Sequence, residues 1–119
     1  METALDKPTL LQMLEALEAM FTLRRHPAVV EMNLNKMVSK KVLEIGSGAG
    51  GHSALFAKHA AEVTSVDLTR VRAFATQEKF NLLGVQEKCQ ALQADAESLP
   101  FPDDYFDTVY SNGVIHHTP

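Results

Sequence analysis

The sequence predicts an α/β fold, a doubly wound layer of parallel strands with helices packed against it. Three observations carry that expectation. Short apolar, β-branched runs alternate with helical patterns over residues 41–119, as parallel strands joined by crossover helices do. A glycine cluster follows the first run directly and opens a helical stretch. Asp67, Asp95 and Asn112 follow the second, third and fourth runs, at the strand ends where such folds bind ligands.

Composition bounds the rest. A chain of 119 residues, 45% hydrophobic, is one domain or part of one. Eleven basic residues against fifteen acidic ones leave a net charge of -4, which argues against a general nucleic-acid binder. A single cysteine, Cys89, excludes an internal disulfide framework and a cysteine-rich zinc site. No apolar run reaches the roughly 18 residues that span a bilayer. Glu2 and Asp6 stand where a secretory signal would be basic. A cytoplasmic chain with no membrane span is the expectation.

Residues 1–38 read as an N-terminal helical segment and 39–119 as a second unit. The first helix is expected from Thr9, with Gln12 at capping-box spacing. Leu10, Leu14, Leu17 and Phe21 form its apolar stripe. His26-Pro27 ends it, and a second helix is expected over about Ala28–Val38. The stripe is expected to pack on the domain, ahead of forming a lid or pairing with another subunit.

Lys41–Ile45 reads as the first strand, followed by Gly46-Ser-Gly-Ala-Gly-Gly51 and a helix from His52 to about Ala60. Glu62–Val66 is the second strand. A helix over about Thr69–Leu83 is expected to bury Val71, Phe74, Ala75 and Leu82, with Gly84 as its stop. A third strand is expected near Gln90–Gln93 and a fourth over Phe106–Ser111, after a proline- and acid-marked loop.

The chemistry gathers at the strand ends. Glycines at 46, 48 and 50 remove side-chain bulk and bring backbone N–H groups close to a ligand. The run also fits the dinucleotide spacing through Gly46, Gly48 and Gly51, so the motif alone does not separate a nicotinamide site from another nucleoside site. Asp67, 21 residues beyond Gly46, can accept from both ribose hydroxyls, or cap the next helix. Glu44, near the end of the first strand, suits a cationic ligand portion better than phosphates; otherwise it is a solvent-facing glutamate. Asp95 can accept from an exocyclic amine. His52 and His59 read as surface or packing residues. Adjacent His116 and His117 without a further ligand make a poor metal site, and no metal is expected.

Val42-Leu-Glu-Ile-Gly-Ser-Gly-Ala-Gly50, Ser65-Val-Asp67, Ala94-Asp-Ala-Glu-Ser-Leu-Pro-Phe101 and Phe106-Asp-Thr-Val-Tyr-Ser-Asn-Gly-Val-Ile-His-His117 together resemble the class I S-adenosylmethionine-dependent methyltransferases. Within them the likeness is to the small-molecule, ubiquinone/menaquinone type. It covers about residues 41–119 and implies a Rossmann-like sheet and S-adenosylmethionine as cofactor. By position, Glu44, Gly46, Gly48 and Gly50 match the motif around the methionine part. Asp67 matches the ribose acid, Asp95 the acid facing the adenine amine with Ala96 beside the ring, and Asn112 the fourth-strand end near the sulfonium. Ser47 and Leu68 complete the candidate cofactor set. His116 and His117 lie at the site edge in the family pattern. They are candidates to take a proton from an acceptor, or are surface and packing residues. In-line methyl transfer from a sulfonium can run on positioning, with no essential base.

The family's sheet has seven strands, and the sequence stops before a fifth. The expected order is 3-2-1-4, with the fourth strand at an exposed edge. The chain is therefore expected to be the cofactor-binding half of a methyltransferase domain, a fragment able to self-associate through that edge or the N-terminal helix. The alternatives are an NAD(P)-dependent oxidoreductase and a non-catalytic nucleoside-binding module completed by a partner. The methyl acceptor, a small molecule, is not specified by any residue pattern.

Overall fold

The computed structural model describes residues 5–24, 33–46, 50–95, 99, 101–102, 104–111 and 114–117. Side chains are described in all of these except 114–117. Helix α1 spans Lys7–Arg24, β1 Lys41–Ile45, α2 Gly51–Lys58, β2 Glu62–Asp67 and α3 Arg70–Leu83. Strands β3 (Gln90–Gln93), β4 (Thr108–Ser111) and β5 (Val114–His117) complete the order.

The sheet order is β3-β2-β1-β4-β5. The first four strands are parallel in the expected order 3-2-1-4. The edge differs from expectation. Strand β4 is not open, because β5 turns back and pairs with it antiparallel, Ser111 opposite Val114 and Thr108 opposite His117.

Helix α1 begins at Lys7 rather than Thr9. The side chain of Asp6, not that of Thr9, caps it, accepting from the Thr9 N–H at 2.9 Å, since a short carboxylate serves the free donors of a first turn well. The expected second helix is also corrected over its described part. Residues 28–32 lie outside the described residues, and the stretch after them holds one 3-10 turn, Leu34–Lys36. Asn33 at φ 56° and Ser39 at φ 63° are left-handed, which a continuous helix does not allow.

Leu10, Leu14 and Phe21 of α1 are buried in the same cluster as Val42, Leu55, Phe56, Val63, Phe80 and Tyr110. The stripe therefore packs on the domain, as expected. His59 ties the two parts together through Glu18, Nε2 to Oε1 at 2.8 Å. A smaller cluster of Leu43, Val66 and Phe106 fills the opposite sheet face. Among the described residues no helix is long and apolar enough to cross a membrane.

Helix α3 keeps its expected bounds. Thr69 caps it by accepting from the Arg72 N–H, and Gly84 closes it. Its buried face differs in part from the expected one, since Leu82 packs against the core as expected. Ala73, Thr76, Lys79 and Phe80 face inward, while Val71 and Phe74 are 79% and 65% exposed. Thr76 packs against Gly50, close enough that a Cβ there would overlap its Oγ1, and the face that carries Thr76 also carries Ala73, Lys79 and Phe80.

Candidate functional site

Side chains alternate across a strand, so Glu44 shares a sheet face with Val42, beneath α1 and α2. The register sets Tyr110 of β4 and Ser65 of β2 beside it. Glu44 is 2% exposed. It is therefore not the solvent-facing glutamate that stood as the alternative. The Ser53 hydroxyl donates to its Oε1. Burial raises its pKa to about 7, the charge of Asp67 adds to that, and the Ser53 hydrogen bond opposes both. Ser65 Oγ is buried with no hydrogen-bond partner among the described residues.

Gly46 turns the chain out of β1 at φ 73° and donates its N–H to Val66 O at 2.9 Å. Gly50 leads into α2 at φ 89°. Both conformations favour glycine. The hydrogen bond from Gly46 sets the bend beside the end of β2, so Gly46 and Asp67 are neighbours on one rim. Asp67 is 4% exposed, and its Oδ1 accepts from Thr69 N–H at 2.9 Å and Thr69 Oγ1 at 3.2 Å. The carboxylate therefore orders the turn into α3, while Thr69 serves as the cap. Ala94 N–H donates to Asp67 O at 2.9 Å, which carries Asp95 to the same rim, where it is exposed. Leu68, beside Asp67, is 69% exposed.

Glu44, Gly46, Gly50, Asp67, Leu68 and Asp95 are thus brought to the carboxyl ends of β1, β2 and β3. Ser47, Gly48, Ala96 and Asn112 lie outside the described residues. His116 and His117 fall elsewhere by register. Their backbone is opposite Val109 and Thr108, and β5 runs away from the rim, so the expected site-edge position does not hold.

A cavity of about 600 Å³ opens between the bend and α1, lined by Glu44, Gly46, Gly51, His52, Lys79 and the apolar face of α1. Sequence reasoning missed His52. Its Nδ1 is 2.8 Å from the Tyr110 hydroxyl and 3.9 Å from Glu44 Oε2. The only local signal is its place in the first turn after the glycine bend. The Tyr110 partner comes from 58 residues away. Burial pushes the Tyr110 hydroxyl up and the Lys79 ammonium down. No cluster able to hold a metal occurs among the described residues.

Residues 43–119 match a family model described as a methyltransferase domain. An uncharacterized methyltransferase of Bacillus subtilis, YcgJ, is 41% identical over 81 residues, 65% of this chain and 30% of that one. Its crystal structure superposes on 72% of this chain, and 38% of its own, with a TM-score of 0.56. The cycloartenol-C-24-methyltransferase of Arabidopsis thaliana is 29% identical over 99 residues, 82% of this chain and 30% of that one. A SAM-dependent methyltransferase from Aquifex aeolicus, 20% identical, shares the fold with a TM-score of 0.60, over 91% of this chain and 57% of its own. The chain spans about a quarter to a third of the length of the curated relatives it matches. A match over residues 43–119, with the parallel order 3-2-1-4 and Gly46 and Gly50 in left-handed conformations between β1 and α2, makes this chain a member of the class I S-adenosylmethionine-dependent methyltransferases.

Proposed function

We infer that this chain binds S-adenosylmethionine at the carboxyl rim of β1–β3 and serves methyl transfer to a small-molecule acceptor. The observation that carries this is the convergence of Glu44, Gly46, Asp67 and Asp95 on one rim. Asp67 and Asp95, with Glu44 partly ionised near neutral pH, suit a ligand bearing an ammonium, a sulfonium and ribose hydroxyls, and repel a pyrophosphate. The residues present fit that ligand. Asp67 would accept from the ribose hydroxyls, Asp95 would face the adenine amine, and Glu44 with the bend would hold the methionine part. The bound group supplies an electrophilic methyl for in-line displacement.

The chain's own contribution is positional. The bend allows close backbone approach, Asp67 is fixed by its bonds from Thr69, and α1 covers one side of the cavity and limits water there. Such positioning is worth several orders of magnitude in rate. A small-molecule acceptor agrees with the name of the Arabidopsis relative, whose acceptor is cycloartenol.

Mass spectrometry of the small molecules retained by the purified chain tests the reading. S-adenosylmethionine or S-adenosylhomocysteine is expected. A retained nicotinamide dinucleotide would contradict it, as would a folded chain that retains nothing and gives no heat with either adenosyl compound.

A further inference from the structure

The cavity beside the bend is unequal on its two sides. One wall is the inner face of α1, with Leu10, Leu14 and Leu17 buried or half-buried and Met13 and Met20 exposed along it. The other holds the polar groups Glu44, His52 and Lys79. A few hundred Å³ of apolar lining with a few placed polar groups is the usual form of a small-molecule site.

His52 is held from several directions. Its ring stands edge-on to Phe21, centroids 5.0 Å apart, and to Tyr110 at 5.4 Å. Nδ1 faces the Tyr110 hydroxyl and the Glu44 carboxyl. With 35% of its side chain exposed, it still reaches the cavity. Among the described residues, the titratable groups facing it or sharing its cavity include Glu44 from β1, Tyr110 from β4 and Lys79 from α3, while the α1 residues lining the cavity are apolar. An imidazole accepts readily from a neutral hydroxyl.

We propose that this cavity is the acceptor site, that the acceptor is a hydrophobic molecule carrying one hydroxyl nucleophile, and that His52 receives the hydroxyl proton. The proposal rests on the cofactor reading above. A lone pair of the hydroxyl oxygen forms the new bond to the methyl carbon. The carbon–sulfur bond breaks with its electron pair passing to sulfur, which becomes a neutral thioether. The O–H pair stays on oxygen and the proton moves to His52 Nε2, in the tautomer whose Nδ1–H donates to the Tyr110 oxygen, and then to solvent.

The test uses wild-type chain with S-adenosylhomocysteine present and two probes, 2-naphthol and 2-methoxynaphthalene. Fluorescence titration should give at least tenfold tighter binding of the naphthol, and the naphthol alone should move the His52 ring resonances in 1H–15N spectra. His52→Phe should bring the two affinities together. Equal affinities in the wild-type chain, or unmoved His52 resonances, would overturn the proposal. Calorimetry with S-adenosylhomocysteine separates the two levels. Heat without discrimination between probes sinks the acceptor assignment alone, and no heat sinks the cofactor reading with it.

Discussion

Glu44 Oε2 lies 3.9 Å from Nδ1 of His52, and the two residues stand on either side of the glycine bend. The bend folds the end of β1 against the first turn of α2. A buried carboxylate and a partly exposed imidazole thereby share one corner of the cavity. Neither is placed there by its own element alone.

Glu44 makes stability depend on pH. Its pKa rises from 4.5 to about 7 on folding, chiefly through burial, so the folded state holds the proton more tightly than the unfolded chain. The associated stability is complete below pH 4.5 and is lost as pH rises through about 7. A shift of this size corresponds to about 3 kcal/mol. Denaturant unfolding between pH 4.5 and 8 should show the decline, and Glu44→Gln, which keeps an acceptor for Ser53, should flatten it. A wild-type profile no steeper than that of the variant would contradict this.

Gly50→Ala should be costly. The residue sits at φ 89°, and a Cβ there would come within 2.4 Å of Thr76 Oγ1 and 2.8 Å of Thr76 Cα. Left-handed strain alone costs of the order of 1–3 kcal/mol, and the overlap adds to it. Thr76→Ala in the same chain should not restore stability, because a backbone atom remains in the way. Thermal unfolding of the single and double variants reads this directly.

Helix α1 belongs to the fold. Leu14 is 1% exposed in the central cluster, whereas Leu23 on the same helix is 84% exposed. Leu14→Ala should cost about 2–5 kcal/mol and Leu23→Ala less than about 0.5 kcal/mol. Urea denaturation of both variants checks the contrast; similar midpoints would detach α1 from the core.

The strands were legible because each is a short apolar or β-branched run closed by a glycine or a polar residue, and that signal is local. Lys41–Ile45 and Gln90–Gln93 were readable to the residue. The inward face of α3 was not. Val71 and Phe74 are large apolar side chains, yet the helix turns Ala73, Thr76, Lys79 and Phe80 inward, the face on which Thr76 packs against Gly50. Glu44, Asp67 and Asp95 could be placed on one rim from strand order alone. His52 could not be assigned, since its hydrogen bond to Tyr110 depends on β4 pairing with β1. The pairing of β5 with β4, by contrast, does carry a local signal, because Asn112-Gly113 between Ser111 and Val114 is the dipeptide of a two-residue hairpin.

The carboxylate rim is tested most directly at Asp67. Asp67→Asn keeps an oxygen to accept from the Thr69 N–H while removing the charge offered to a ribose. Calorimetric titration with S-adenosylhomocysteine should give saturable binding to the wild-type chain and about ten- to a hundredfold weaker binding to the variant, the worth of a charge-assisted hydrogen bond. Equal affinities for the two chains would contradict the assignment of this rim to the adenosyl ligand.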